Sequence, residues 1–252
     1  MAKPASGTAL DTGHALVSAE LIHVWAFLTG SGTTITDSRG TNHGTLRSSG
    51  LWTTDSEGAI VRETDGTQRT IALGSTVTLG GSNANWSIAF AAKQTTGNNN
   101  GMFIGPNNTQ AAYVWLRDAN YLRFQDTATN GANFTGVTTF TTRANYVLTR
   151  EFESGVTDHL RLYKDGSLIS DEQRPSGYAT LAFDTIGNGW TLADDLGLEG
   201  DISYLYVWAG RLLNLTEVGT LHANPYAIFT GGGGGGGLSI PVVMNQYRQR
   251  RA

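Results

Sequence analysis

Glu151 and Glu153 come nearest to a catalytic pair in this sequence. They stand two positions apart in "REFESG", so in a strand both carboxylates would face the same side. A retaining glycosidase needs two carboxyl groups roughly 5 Å apart, one as nucleophile and one as acid. No third acid completes such a site, and Glu199 and Asp201 repeat the spacing only within a turn-rich stretch. We therefore interpret these carboxylates as solvated strand ends and expect no enzyme, with glycan hydrolysis as the weaker alternative.

Other catalytic machinery is missing from the sequence. The chain has no cysteine, which excludes disulfides, cysteine–zinc sites and thiol catalysis. The five histidines are scattered and there is no Gly-x-Ser-x-Gly motif, so a serine hydrolase is not indicated. The glycine run near the end lacks the Gly-Lys-Ser/Thr that completes a phosphate-binding loop.

Four aromatic residues are candidates for binding carbohydrate: Tyr113, Trp115, Tyr121 and Trp190. They lie near segments rich in Asn and Thr, namely "QTTGNNNG", "GPNNTQ" and "DTATNGANFTG", which we interpret as loops. A sugar site combines apolar rings with a few polar partners, and these segments supply both. The alternative is that the four rings fill the interior of the fold.

Residues 231–237 are seven glycines, which act as a flexible spacer. The peptide that follows, "LSIPVVMNQYRQRRA" (238–252), is too apolar for a tail in water and ends in a basic cluster. We interpret it as an anchoring peptide that adds a strand to a partner's sheet or fills an apolar groove, while its arginines pair with acidic groups. The alternative is a disordered terminus. The residues expected to bind the partner are Leu238, Ile240, Val242, Val243, Met244, Tyr247, Arg248, Arg250 and Arg251.

Composition indicates an all-β protein without a nucleic-acid partner. Gly accounts for 33 of the 252 residues and charged residues for 15%, a balance typical of many turns and few helices. The formal net charge of −4 and the lack of a basic stripe in the main body argue against nucleic-acid binding. There is no apolar run of about 18 residues and no apolar core of a secretory signal, so we expect no membrane insertion and synthesis in the cytoplasm.

Many short strands must position these residues. The stretch Leu16–Leu28 is expected to contain the first strand, with or without a preceding helical turn. In "YKDGSL", Asp165 and Gly166 suit the type I′ turn of a hairpin. Further strands are predicted at Ala59–Glu63, Thr70–Ala72, Trp86–Lys93, Gly101–Ile104, Ala112–Leu116, Tyr121–Gln125, Asn145–Phe152, His159–Lys164 and Ser167–Ile169.

One helix is predicted, in "LNLTEVGTLHANP". Asn214 or Thr216 can cap it and Pro225 stops it. About ten or more strands with one late helix predict an antiparallel β-sandwich of the jelly-roll kind. The apolar stripe of the helix is formed by Leu215, Val218 and Leu221. One face of the strand before it, in "GDISYLYVWAGRLL", is expected to be formed by Ile202, Tyr204, Tyr206 and Trp208.

The order of these signals resembles the concanavalin A-like fold, and within it the laminin-G-like family found in bacterial and phage proteins. The matching segments are "HVWAFLTGSGTTITDSRGTNHGTL", with its Asp-x-x-Gly-x-x-x-Gly-x-Leu pattern, "NWSIAFAAK", "HLRLYKDGSLIS" and "LEGDISYLYVWAGRLLNLTEVGTL". They span residues 16–229. The ending "LHANPYAIF" is similar to the close of laminin-G-like proteins encoded in phage structural regions.

The resemblance implies an N-terminal arm (1–15), one laminin-G-like β-sandwich (16–230), the glycine linker (231–237) and the anchoring peptide (238–252). Laminin-G-like domains often hold one calcium ion at the rim of the sandwich, so Ca²⁺ is a candidate cofactor. The loop aspartates available for it are Asp37, Asp118, Asp126, Asp194 and Asp195.

The function implied is that of a phage virion structural protein: a capsid decoration protein, or a fibre component attached to the head or tail. Such a protein is made in the host cytoplasm and is present in many copies on the particle. Its partners would be other virion proteins, bound through the tail, and host surface glycans, bound by the sandwich. The alternative is a carbohydrate-binding or adhesion module that recognises surface glycans.

Overall fold

The computed structural model describes residues 3–47, 50–55, 58–63, 71–81, 84–94, 101–106, 112–117, 121–127, 131–137, 140–153, 157–174, 180–187, 198 and 200–231. Among them no helix has the length and hydropathy needed to span a bilayer. In chain order the elements are β1 (Leu21–Trp25), β2 (Thr34–Ile35), β3 (Gly44–Leu46), β4 (Gly50–Asp55), β5 (Gly58–Glu63), β6 (Ile71–Leu79), β7 (Trp86–Gln94), β8 (Gly101–Gly105), β9 (Tyr113–Arg117), β10 (Tyr121–Gln125), β11 (Gly131–Thr135), β12 (Ala144–Glu153), β13 (Thr157–Lys164), β14 (Ser167–Arg174), β15 (Leu181–Ile186), β16 (Gly200–Ala209) and α1 (Leu215–Ala223).

Two antiparallel sheets form a β-sandwich, which confirms the all-β fold expected from the sequence. The first sheet has the order β14-β13-β12-β7-β16-β5-β4, with β1 also paired to β16. The second sheet has the order β11-β10-β9-β8-β15-β6-β3-β2. The sequence fits this architecture because alternating apolar positions give each strand one side that packs between the sheets.

The main hydrophobic core lies between the two sheets. The first sheet contributes Ile88, Phe90 and Leu148, and the second contributes Phe103 and Phe183, all fully buried. Phe90 and Phe103 stack with their ring centroids 4.1 Å apart, so the two sheets make direct aromatic contact. Burial of these large side chains is the main stabilising contribution to the sandwich.

A second apolar cluster covers the outer face of the first sheet. From the sheet come Tyr204, Tyr206 and Trp208, and from the segments above it come residues 10–17, helix α1 and residues 226–229. We call these three segments the covering layer. Trp208 donates a hydrogen bond from Nε1 to the Leu16 carbonyl (2.9 Å), which joins the layer to the sheet. The covering layer therefore gives the molecule a third layer on one side of the sandwich.

The helix and the tight hairpin agree with their sequence signals. Asn214 is the N-cap of α1, and it forms a reciprocal capping box with Glu217, which satisfies two main-chain N–H groups of the first turn. Asp165 and Gly166 have φ values of 50° and 83°, as a type I′ turn requires. Leu215 departs from the prediction: it is 62% exposed because it opens the helix at the edge of the layer, and only Val218 and Leu221 are buried.

The Asp-x-x-Gly-x-x-x-Gly-x-Leu pattern is structural. The Asp37 carboxylate accepts hydrogen bonds from the main-chain N–H groups of Val24 (2.9 Å) and Arg39 (3.1 Å). A Cβ on Gly40 would lie 2.7 Å from Asp37 Oδ2, and one on Gly44 would lie 2.5 Å from Ile71 Cγ2. Side chains are therefore excluded at both glycines, and the pattern encodes a tight connection between β1, β2 and β3.

Three strand predictions need correction. Ile202 does not share a face with Tyr204, because a β-bulge between them turns Ile202 into the main core and leaves Tyr204 on the outer face. The segment "DTATNGANFTG" is not all loop, since Gly131–Thr135 forms the edge strand β11 with Ala132 and Phe134 buried. The strand predicted at Thr70–Ala72 extends to Leu79, because residues 77–79 pair with β15 again beyond an irregularity at the exposed polar middle.

Candidate functional site

The outer face of the second sheet gathers aromatic and polar side chains. Strands β9, β10 and β11 pair directly, so Tyr113 stands beside Gln125, and Trp115 beside Arg123, which in turn stands beside Asn133. Residues directly opposite each other in an antiparallel pair share a face. Their neighbours Leu116, Leu122 and Phe124 point the other way, into the main core. We call the set on the outer face the aromatic face; its residues are Met102, Tyr113, Trp115, Tyr121, Arg123, Gln125 and Asn133.

Hydrogen bonds and ring contacts order the middle of the aromatic face. Gln125 Oε1 accepts hydrogen bonds from the Tyr113 hydroxyl (2.7 Å) and from Arg123 Nη2 (3.0 Å). The Arg123 guanidinium also lies 5.8 Å from the centre of the Tyr113 ring, within cation–π range. Tyr113 and Trp115 meet edge to face with their centroids 5.6 Å apart. The polar groups are therefore held on a rigid aromatic base.

Burial divides the aromatic face into a floor and a surface. Met102 is fully buried, and Tyr113 and Trp115 are only 5% and 7% exposed. Tyr121 and Arg123 are half-buried and Asn133 is exposed. Gln125 is 7% exposed and belongs to the floor, so the groups available to a ligand from solvent are Tyr121, Arg123 and Asn133.

Three of the four aromatic residues predicted to bind carbohydrate are brought together here. Tyr113, Trp115 and Tyr121 lie on the same side of β9 and β10, outside the sandwich core rather than inside it. Trp190 lies outside the described residues. Sequence reasoning missed Arg123, Gln125 and Asn133. The available signal was the period-two alternation in "YLRFQ" and "GANFT", which places a polar residue at every second position.

The carboxylate pair Glu151 and Glu153 lies on the first sheet, in an ion-pair network. Arg161 bridges Glu151 (2.6 Å) and Asp171 (2.9 Å), and His159 lies 2.8 Å from Asp171 and 3.6 Å from Glu153. Burial opposes the charge of Arg161, but the hydrogen bonds that it donates to the Glu151 and Asp171 carboxylates raise the pKa of Arg161 above its ordinary value. Glu151 therefore pairs with the Arg161 cation, and Glu153 stands beside His159.

The aspartates considered for calcium have other surroundings or lie outside the description. Asp37 is 3% exposed, and its Oδ2 is 2.7 Å from His23 Nδ1. Burial opposes its charge, but hydrogen bonds from His23 and main-chain N–H groups hold the pKa of Asp37 below its ordinary value. Asp126 is buried after β10, and Asp118, Asp194 and Asp195 are not described. Within the described ranges no three His, Cys, Asp or Glu side chains are grouped to hold a metal ion.

A cleft of about 360 Å³ lies elsewhere, between residues 6–9 near the N-terminus, Leu28–Thr29 and Thr36–Ser38. It is lined by hydroxyl groups and the Asp37 carboxylate, whose two oxygens already accept the hydrogen bonds described above. Among the described residues that line this cleft there is no aromatic side chain. We therefore place the candidate site on the aromatic face, where rings and polar groups are combined.

The described chain leaves the sandwich on the side opposite the aromatic face. Phe229 forms a β-bridge with Leu10, and Thr230 donates a main-chain hydrogen bond to the Ala9 carbonyl (2.9 Å). Both contacts belong to the side of the covering layer. The anchoring peptide predicted at 238–252 and its nine partner-binding residues lie outside the described residues.

Comparisons with known proteins show the fold. No protein-family model and no curated protein matches the sequence. Domain 4 of AbnA, an extracellular arabinanase from Geobacillus stearothermophilus solved with arabinotriose, is 16% identical with a TM-score of 0.58, over 81% of this chain and 98% of that domain. The receptor binding domain of botulinum neurotoxin type G is 15% identical with a TM-score of 0.55, over 81% of this chain. Trypanosoma rangeli sialidase is 11% identical with a TM-score of 0.55, over 84% of this chain.

The chain spans 51% of the toxin domain and 34% of the sialidase, so in both cases the similarity covers one part of a larger protein. At these identities the shared property is the β-sandwich itself. Function must be argued from the site, because one fold supports many functions.

Proposed function

We propose that this protein is a lectin-like module that binds a glycan on the aromatic face. One observation carries the proposal: strand register assembles rings, an amide and a guanidinium on the outer face of the second sheet, where Tyr121, Arg123 and Asn133 reach solvent. Sugars offer apolar ring faces and many hydroxyl groups, so they bind where aromatic side chains adjoin a few oriented polar groups. The aromatic face offers both.

Ligand contact is assigned to the outer groups of the face. Tyr121 supplies a half-buried ring, and Arg123 and Asn133 supply hydrogen-bond donors and acceptors, while the buried Gln125 holds Arg123 in place. Tyr113 and Trp115 fix these groups from below, which reduces the entropy lost when a ligand binds. The arabinanase domain solved with arabinotriose supports the proposal, since a similar sandwich accompanies a sugar ligand there.

A glycan array probed with the full-length protein tests this function. Tyr121→Ala should weaken binding to any glycan that the wild type retains by about tenfold, because it removes one ring contact and its hydroxyl. Leu215→Ala is the matched control, since Leu215 is 62% exposed on the covering layer and its truncation should leave binding unchanged. Absence of binding across neutral and acidic glycans, or equal losses in the two variants, would contradict the proposal.

We also propose that the module is displayed on a larger assembly, as a laminin-G-like virion structural protein located on the capsid, head or tail. The supporting observation is that the two features lie on opposite sides of the sandwich. The chain passes residue 231 on the side of the covering layer, so a tether there leaves the aromatic face pointing outward. The glycines reach roughly 15 Å and the anchoring peptide docks on another virion protein. Many copies would then compensate for weak single contacts with host glycans.

Deleting residues 232–252 tests the display function. The truncated protein should keep its thermal unfolding midpoint and its glycan binding, but should no longer be incorporated into particles when co-expressed with the remaining virion proteins. A variant that replaces only the glycines by serines keeps the tether flexible and should be incorporated normally. Full incorporation of the truncated protein would contradict the anchoring role of the deleted peptide.

A further inference from the structure

Arg123 lies at the centre of the aromatic face and is held there from two directions. Its Nη2 donates to Gln125 Oε1 (3.0 Å), which also accepts from the Tyr113 hydroxyl (2.7 Å). Its guanidinium carbon lies 5.8 Å from the Tyr113 ring centre. The cation is therefore positioned before any ligand arrives, which lowers the cost of using it for recognition.

The positive charge of Arg123 is not neutralised by a described residue. Within the described ranges no Asp or Glu lies in ion-pair distance of it, and its buried Nε has no hydrogen-bond acceptor. By contrast, Arg150 pairs with Asp158 (2.9 Å), Arg161 with Glu151 and Asp171, and Arg211 with Glu217. A positioned arginine with an unused donor is suited to an anionic ligand group.

Arg123 is half-buried, with its buried Nε on the side of Gly131 in β11. Gly131 has no side chain, and a Cβ there would lie 3.8 Å from both Nε and Nη2 of Arg123. Asn133, directly opposite Arg123 in the β10–β11 pair, is exposed. Because Nε is buried, a carboxylate arriving from solvent must bind the terminal nitrogens of the guanidinium, which can donate two parallel hydrogen bonds.

We infer that the aromatic face selects acidic glycans and that Arg123 binds the carboxylate of an acidic sugar unit. The inference rests on the proposed glycan-binding function and specifies its ligand class. The net charge of −4 opposes general attraction of anions, so the selectivity must come from this local cation. Arg123 is thus the specificity-determining residue, and Tyr121 and Asn133 supply contacts that neutral sugars share.

The test compares each acidic glycan with a neutral copy of the same shape. Oligogalacturonate and its methyl ester serve as one pair, and sialyllactose and its methyl ester as another. By isothermal titration, wild type should bind the acid of at least one pair about tenfold to a hundredfold more tightly than the ester, as expected for a charge-assisted bidentate contact. The preference should shrink as salt concentration rises.

Variants at two positions separate specificity from folding. Arg123→Gln should remove the preference, so that the acid and its ester bind with equal affinity, and Arg123→Lys should retain only part of the preference because lysine lacks the planar fork. Asn133→Glu places a competing carboxylate opposite Arg123 and should also abolish the preference, whereas Asn133→Gln should keep it. Arg47→Gln, at the end of β3, is the charge-matched control and should behave as wild type.

The outcomes distinguish failure of the acidic-glycan inference from failure of the proposed glycan-binding function. Equal affinity of wild type for acids and esters would overturn the inference and leave the glycan-binding function standing. Retention of the preference in both Arg123→Gln and Asn133→Glu would also overturn it, because another residue would then read the carboxylate. Failure to bind any glycan in either form would overturn the proposed function itself.

Discussion

The two outer sheet faces of this sandwich use aromatic residues in opposite ways. On the first sheet Tyr204, Tyr206 and Trp208 are fully buried beneath helix α1 and the segments that accompany it. On the second sheet Tyr113 and Trp115 are also nearly buried, but polar side chains of the same sheet surround them. The first face is completed by its own chain, and the second is organised as a surface.

The two faces also differ in the surroundings of their tyrosine hydroxyl groups. Burial raises the pKa of Tyr206 well above its ordinary value, since the phenolate would be formed in an apolar cluster. The Tyr113 hydroxyl instead donates a hydrogen bond to Gln125 Oε1, which also accepts one from Arg123. Aromatic side chains therefore stabilise the fold on one face and orient polar groups on the other. Substitutions that change either stability or binding alone test this contrast between the two faces.

The largest effect is expected from Trp208→Ala on the covered face. The change removes a fully buried indole and its hydrogen bond to Leu16, and it leaves a cavity between sheet and covering layer. The free energy of unfolding should fall by about 3–5 kcal/mol in urea titrations. If the loss were below about 1 kcal/mol, the covering layer would not be a packed part of the fold.

The second-largest effect on stability is expected from Asp37→Asn. Asp37 accepts a hydrogen bond from the main chain of β1 at Val24, whose side chain packs in the covered cluster. Loss of charge-assisted hydrogen bonds should lower the free energy of unfolding by about 1–3 kcal/mol at neutral pH. The folded-state pKa of Asp37 is depressed, so this contribution is full above pH 3.8 and is lost as pH falls through the lower folded value. Unfolding of both proteins from pH 7 to pH 2 should show the difference closing only in acid.

A smaller effect should follow Asn214→Ala at the start of α1. Asn214 accepts the Glu217 N–H and completes a capping box, so its loss frees a main-chain donor at the helix terminus. We expect about 1 kcal/mol of destabilisation, measured by thermal unfolding. Asn214→Ser preserves a capping oxygen and should recover most of it; no difference between the two would mean that the cap is irrelevant to the layer.

The smallest effect on stability is expected from Asn133→Ala on the aromatic face. Asn133 is exposed on an edge strand, so the free energy of unfolding should change by no more than about 0.5 kcal/mol. Binding to the glycans that wild type recognises should nevertheless weaken, since an amide partner is removed. A large stability loss here, with unchanged binding, would erase the distinction between the two faces.

Local features of the fold could be predicted from the sequence. Strand β10 was predicted with its observed ends, because "YLRFQ" alternates apolar and polar residues between turn signals. The hairpin at Asp165 and the cap at Asn214 followed from turn and capping chemistry. Such features depend on contacts within a few residues, so a short window contains the information.

Contacts between distant segments could not be predicted. The bulge at Ser203 reassigns Ile202 to the main core because β16 must pair with β7 along its length, and no local pattern announces that shift. Strand β11 looked like a loop because its Gly and Asn residues suit an edge strand poorly, yet Ala132 and Phe134 bury well once β10 is beside it.

The amino-acid sequence by itself determined that this chain forms antiparallel strands, one capped helix and alternating faces, because period-two hydrophobicity and turn residues act locally. Only the tertiary structure decided which alternating face would be covered by the chain's own segments and which would be left as a surface. It also decided that Arg123 would stand between Trp115 and Asn133, since strand register is set by pairing across the sheet rather than by any single strand.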